Sequence, residues 1–128
     1  MNPLGIGIVL LYIPRFKKIL ENYQKRFLAK IFNVEEIEYA YSRLKPWEAL
    51  AGAFSVKEAF FKAIGGYSPF SFKEITLIRS PLNGKPFLKL QGRAKETFLK
   101  KGGIKIDLSL SHDYEYTIAI VYLWGRDG

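Results

Sequence analysis

Glu58 falls on the apolar side of the helix that its neighbours mark out. At about 100° per residue, Trp47, Leu50, Ala51, Phe54 and Phe61 share one arc, and Glu58 lies within about 20° of Trp47, at the middle of it. Lys57 and Lys62 fall on either flank, so this face carries an acid between two cations. Burying an uncompensated carboxylate costs several kcal/mol, and Glu58 therefore needs a metal, a cationic partner or an open cleft. That need makes it a candidate for chemistry. The plainer reading is a Glu58–Lys62 pair at four-residue spacing on a helix surface, with Phe60 and Ile64 forming a second apolar arc that leaves the acid at an edge.

A second cluster lies near the end of the chain. His112 follows a strand whose wet face shows Ser109 and Ser111, a place where hydroxyls and an imidazole could meet a phosphate. A lone histidine at a strand end is more often a hydrogen-bonded loop residue. Gly65-Gly66 could let a backbone approach a phosphate, yet the pair lacks dinucleotide or P-loop spacing, and helix termination is its default role.

The elements that must position these residues can be read from periodicity and punctuation. Gly5 to Ile13 is an apolar run rich in β-branched residues and stopped by Pro14, which reads as a strand buried on both faces. Phe16, Ile19, Leu20, Tyr23, Phe27 and Ile31 then recur at three- and four-residue steps, with Arg15, Lys17, Lys18, Asn22, Lys25 and Arg26 mainly opposite, an amphipathic helix with a basic outer face. Asn33, Glu35 and Glu36 open a short helix that runs to about Arg43. The helix carrying Glu58 spans Pro46 to Ile64 and stops at the glycine pair. Phe72–Arg79 and Pro86–Leu90 form a hairpin around Asn83-Gly84, and Arg93–Lys101 is a helix. Ile104, Ile106, Leu108 and Leu110 alternate with polar residues as a strand, His112 to Glu115 connects, and Tyr116–Trp124 is a last strand. The order β-α-α-α-β-β-α-β-β, without repeats or linkers, predicts one α+β domain over residues 1–128, a mostly antiparallel sheet packed on helices.

Composition narrows the functions. A chain of 128 residues, 48% of them apolar, has enough material for a real core. The absence of cysteine excludes disulfides, thiolate metal sites and a Cys nucleophile, and a single histidine excludes His-rich metal sites. The apolar run between Pro3 and Pro14 is shorter than the roughly 20 residues a membrane span needs, so no membrane role and a cytoplasmic location are expected. With 20 Lys+Arg against 12 Asp+Glu the formal charge is +8, which points to an anionic partner without choosing it. A small nucleic-acid-binding domain is the last-ranked choice, because no reader motif is present and the aromatics lie at core spacing.

Ala51-Gly52-Ala53-Phe54-Ser55-Val56-Lys57-Glu58-Ala59-Phe60-Phe61-Lys62-Ala63-Ile64-Gly65 resembles the signature helix of the holo-acyl-carrier-protein synthase group of 4′-phosphopantetheinyl transferases. Three further blocks follow the group's order: the Gly5-Ile6-Gly7 strand ending near Ile13-Pro14-Arg15, Asn83-Gly84-Lys85-Pro86, and Ser109-Leu110-Ser111-His112 with Glu115-Tyr116. The resemblance implies transfer of the 4′-phosphopantetheine arm of coenzyme A to a serine of an acidic acyl carrier protein, with magnesium as cofactor and a homotrimer whose sites lie at subunit interfaces. It implies Glu58 as magnesium ligand and Lys62 as the cation on the phosphoryl group, both catalytic, with Lys57 as a helper. Gly65, Ser109, Ser111 and His112 would lie along the nucleotide, and Arg15 would meet the carrier. Lys18, Lys25 and Arg26 join Arg15 from helix geometry.

Two positions depart from the group's pattern. Val9 stands where it has a magnesium-ligating aspartate, and Ala53 where it has an arginine. Valine offers no ligand atom, which leaves magnesium to Glu58, waters and the diphosphate, or to a carboxylate such as Asp107 or Asp113 reaching in. The substitutions define the alternative, a non-catalytic or impaired relative that still binds coenzyme A or carrier protein.

Overall fold

In a computed structural model, which describes residues 1–66 and 70–127, the elements stand in the expected order. They are β1 (Asn2–Tyr12), α1 (Ile13–Ile31), α2 (Val34–Tyr41), α3 (Pro46–Ala63), β2 (Ile75–Arg79), β3 (Pro86–Leu90), α4 (Gly92–Lys100), β4 (Gly103–Asp113) and β5 (Tyr116–Gly125). A 3-10 turn, Phe72–Glu74, precedes β2 and takes up the first residues expected to be strand. The class is α+β. The strands divide into two antiparallel sheets, β1-β5-β4 and the β2-β3 hairpin.

α3 is the axis of the fold because almost every side of it is covered. Pro46 sits in its first turn, where the missing N–H costs nothing. Leu50, Ala51, Ala53, Val56, Ala59, Phe60 and Ala63 are buried along its length. One side lies directly on β1, at glycines: a Cβ on Gly7 would overlap the Ala59 carbonyl oxygen, and one on Gly5 the Ala63 carbonyl oxygen. Only glycine permits that approach of strand to helix, and it brings the backbone of β1 against the turn that carries Glu58. Another side meets an aromatic layer in which Phe54 contacts Phe16, Phe27 and Phe72, and Phe61 contacts Phe70 and Phe72.

β1 is not buried on both faces, as its uninterrupted apolar run led us to expect. Gly5, Gly7 and Val9 turn toward α3, while Ile6, Ile8 and Leu10 are 55%, 54% and 66% exposed on the opposite face of the sheet. Tyr116 and Ile118 of β5 pair with Tyr12 and Leu10 and extend that uncovered apolar surface. The connection before β5 is also shorter than expected. His112 and Asp113 belong to β4, paired with Thr117 and Tyr116, and the reversal falls at Tyr114, whose φ of 53° is left-handed.

Candidate active site

Glu58 and Lys62 stand one turn apart on α3, yet they form no ion pair within 4 Å. The Lys62 ammonium reaches across to β1 and donates to the Ile8 carbonyl oxygen at 3.1 Å. No described residue hydrogen-bonds the half-buried Glu58 carboxylate. Burial pushes its pKa above the ordinary carboxylate range, against the opposing pull of Lys62. The helix-surface pair that would have explained Glu58 structurally is therefore not made. A carboxylate without a donor, held beside a cation at a solvent-reached edge, is free to take a ligand from outside.

Lys57 is corrected. It does not flank Glu58 as a second site cation but points the other way, fully buried. Its ammonium lies 2.8 Å from Glu36 Oε1 and donates to the carbonyl oxygens of Phe72, at 2.9 Å, and Ile75. All three N–H bonds are spent inside the fold, which leaves none for a cofactor. Glu36 is equally enclosed: its Oε2 accepts from the Leu77 N–H at 2.9 Å and its Oε1 from the Asn33 N–H at 2.9 Å. The pair ties α2, α3 and β2 together. Burial pulls the Lys57 ammonium below its usual range even with Glu36 opposing, so desolvation outweighs the attraction.

His112 and the two serines do not share a site within one chain. Ser109 and Ser111 pair with Ile120 and Ile118 on the open face, whereas His112 faces α3, where it packs beside Gly52 and Leu110. There it lines an open cleft of about 670 Å³ with Tyr39, Arg43, Lys45, Glu48 and Arg79. Burial lowers the imidazole pKa, with Arg79 reinforcing the shift and Glu48 opposing it. Arg43, Lys45 and Arg79 were not singled out from the sequence. Arg79 carried a signal all the same, since it extends the buried Ile75 and Leu77 positions of β2 by one further step of two.

Gly65 ends α3 with φ +110°, and the loop it opens, where a nucleotide contact is expected, continues through residues 67–69, outside the described ones. Arg15, Lys18, Lys25 and Arg26 are all exposed on α1, and none is ion-paired to a described residue. A kink at Tyr23, with φ −125° and ψ 24°, separates the first two from the last two.

For a metal, the donor set is spare. Among the described residues no group of three His, Asp or Glu side chains could hold one. Val9 is buried, and Asp107 is occupied by the Trp124 indole N–H at 2.8 Å. One free carboxylate does fit magnesium, which is commonly held by one or two carboxylates with waters and substrate phosphates completing the shell.

Residues 5–121 match the model of the 4′-phosphopantetheinyl transferase superfamily. The chain is 39% identical over 126 residues to a holo-[acyl-carrier-protein] synthase of Halothermothrix orenii, covering 97% of this chain and 98% of that one. Its fold superposes with a TM-score of 0.87 on the crystal structure of the Neisseria meningitidis holo-[acyl-carrier-protein] synthase, at 27% identity, with 95% and 98% of the two chains covered. The Helicobacter pylori holo-[acyl-carrier-protein] synthase, solved in complex with coenzyme A, aligns with a TM-score of 0.80 and 29% identity over 93% of this chain and 99% of that one. With the Glu58–Lys62 turn, the glycine-packed strand beside it and this agreement along the whole chain, the protein belongs to the 4′-phosphopantetheinyl transferase superfamily.

Proposed function

We propose that the chain is a holo-acyl-carrier-protein synthase, which transfers the 4′-phosphopantetheine arm of coenzyme A to a serine of apo-acyl carrier protein and releases adenosine 3′,5′-bisphosphate. The observation that carries this is the unpaired Glu58 carboxylate held one turn from Lys62 against the β1 backbone. In the reaction the serine oxygen bonds to the phosphorus attached to the pantetheine arm, the diphosphate P–O bond breaks, and the serine proton must leave. Glu58, whose pKa burial raises above the ordinary carboxylate range, would accept that proton, directly or through a water held at the metal. Lys62 offsets charge on the phosphoryl oxygens. Magnesium, held by Glu58 and the diphosphate, would supply further positive charge there. Use of coenzyme A as donor supports a cytoplasmic location. Among the described residues no helix is long and apolar enough to cross a membrane.

The acidic carrier protein would dock on the exposed cations of α1, Arg15, Lys18, Lys25 and Arg26. Charge steering of that kind raises the encounter rate and weakens with salt. The reading is tested by incubating the protein with apo-carrier protein, coenzyme A and magnesium and following intact mass. Gain of the phosphopantetheine arm is the expected result; no gain under varied metal conditions overturns the enzyme and leaves a coenzyme A- or carrier-binding relative.

The homotrimer has its support in the uncovered sheet face. Ile6, Ile8, Leu10, Tyr116 and Ile118 expose a contiguous apolar surface that a second copy would cover. Ser109 and Ser111 lie on the same face, where they could meet a nucleotide bound at a neighbouring copy. Sedimentation velocity at micromolar concentration is expected to give three chains, with Ile8→Glu shifting the population to one. A monomeric wild-type protein would remove the trimer.

A further inference from the structure

Around Glu58 the fold presents few oxygen atoms to a cation. Gly5 and Gly7 lie against the carbonyl oxygens of Ala63 and Ala59, so each step of two along β1 covers one turn of α3. The two rises match, about 6.6 Å of strand against about 6 Å of helix. One more step sets Val9 against the turn that begins at Ser55 and leads to Glu58, and Val9 is buried there. Neither glycine nor valine has a side-chain oxygen. The Ser55 hydroxyl is buried and donates to the Ala51 carbonyl oxygen at 2.8 Å. The Ile8 carbonyl oxygen already accepts from the Lys62 ammonium at 3.1 Å, where a second cation would meet the first. Asp107 and Asp113 stand on the open face of the sheet, with the strands between them and α3.

Among the described residues of one chain, Glu58 is thus the single free carboxylate at this turn, and Lys62 offsets its charge. Magnesium gives up water reluctantly and needs more than one such donor, or a phosphate, to be held. The diphosphate of coenzyme A supplies what is missing, anionic oxygens on both phosphates that also satisfy Lys62. We propose that the free chain holds no magnesium and takes the ion only together with the coenzyme A diphosphate, Val9 being the residue that leaves the site short of a ligand. The proposal deepens, and rests on, the reading of coenzyme A as donor. Linkage makes the coupling reciprocal: metal must tighten coenzyme A by the factor by which the chain tightens metal on coenzyme A.

The test titrates Mn²⁺, whose free-ion paramagnetic resonance signal falls on binding, into the full chain, into coenzyme A and into both. Chain and Mn²⁺ at about 0.1 mM each should leave at least about nine-tenths of the free signal. With the chain present, coenzyme A should bind Mn²⁺ at least about tenfold more tightly than it does by itself, and calorimetry should show the chain binding coenzyme A tighter by the same factor with saturating metal than in chelator. Glu58→Gln should remove that gain. Val9→Asp, checked for folding by circular dichroism and for coenzyme A binding, should remove about a third or more of the free signal at the same concentrations without coenzyme A. Metal bound by wild type alone, through this chain's oxygens or through Asp113 of a second copy, overturns the proposal, as does a coenzyme A affinity indifferent to metal. A folded Val9→Asp that leaves the signal where wild type leaves it overturns it too. In each of these cases binding of coenzyme A leaves the transferase reading standing. Wild type that binds no coenzyme A, with metal or without, overturns that reading and this proposal with it.

Discussion

Glu36→Gln is expected to destabilise the protein by about 3–5 kcal/mol, read as a lowered midpoint in chemical denaturation, because it leaves the Lys57 ammonium buried with no anion. Gln keeps the volume but has one acceptor oxygen, so it can serve the Leu77 N–H or the Asn33 N–H and Lys57 and not both sides; the loss reports the charge together with the hydrogen bond that goes with it. The neighbouring carbonyls of Phe72 and Ile75 hold the ammonium in place but do not neutralise it. The double variant Glu36→Gln with Lys57→Met should recover most of the loss, since the charge that could not be solvated is gone. The direction of the Lys57 pKa supports that outcome: burial already wins over the attraction to Glu36 in the intact pair. A further signature is the pH dependence. With a folded-state Lys57 pKa below 10.5, the unfolded chain binds the proton more tightly, so the stability of Glu36→Gln should climb as pH rises toward the unfolded value. A single variant as stable as wild type, or a double variant as weak as the single, would show that the pair does not hold α2, α3 and β2 together.

That pair also marks the limit of what one helix's periodicity tells. The spacing placed Glu58 on an arc of hydrophobes, and the carboxylate's unusual position was visible before any fold. The same spacing placed Lys57 on a flank of that arc without saying that α2 and β2 would pack there, and its partner Glu36 read simply as a first-turn acid. Element order and the β2-β3 hairpin were legible because each rests on local turn and cap chemistry, although the connection runs over residues 80–85 and is not a tight turn at Asn83-Gly84. The split into two sheets was not, being decided by which strands find each other. For His112 the signal was present and misread. Past a register irregularity at the exposed Ile104, the residues Ile106, Leu108 and Leu110 alternate inward, and one more step of two carries His112 to the α3 side, away from Ser109 and Ser111. β1 had no alternation to read, since Ile6, Ile8 and Leu10 are as apolar as the residues they flank; a run of that kind is silent on whether its second cover comes from the same chain.

Glu58→Gln should lower kcat/KM for phosphopantetheine transfer by about 10²–10³-fold or more while leaving the denaturation midpoint within about 0.5 kcal/mol of wild type. The two halves of that expectation have separate causes. No described residue depends on the Glu58 carboxylate for a hydrogen bond, and the amide occupies the same volume, so the fold loses nothing. On the proposed reading, activity loses the one carboxylate on this turn of α3, which would accept the serine proton and hold magnesium. The pH profile separates Glu58 from other acids. Without metal its pKa is raised by burial and restrained by Lys62, so the acid limb of wild-type kcat/KM at limiting magnesium should lie above the ordinary carboxylate range, and saturating magnesium should draw it down. Removing the restraint with Lys62→Met should move the residual activity's acid limb to still higher pH, because the folded carboxylate then holds its proton more tightly. A Glu58→Gln protein that keeps more than a tenth of wild-type kcat/KM, or an acid limb that stays put in Lys62→Met, would mean the proton and the metal are handled elsewhere, and the Glu58–Lys62 turn would be reduced to a feature of the α3 surface.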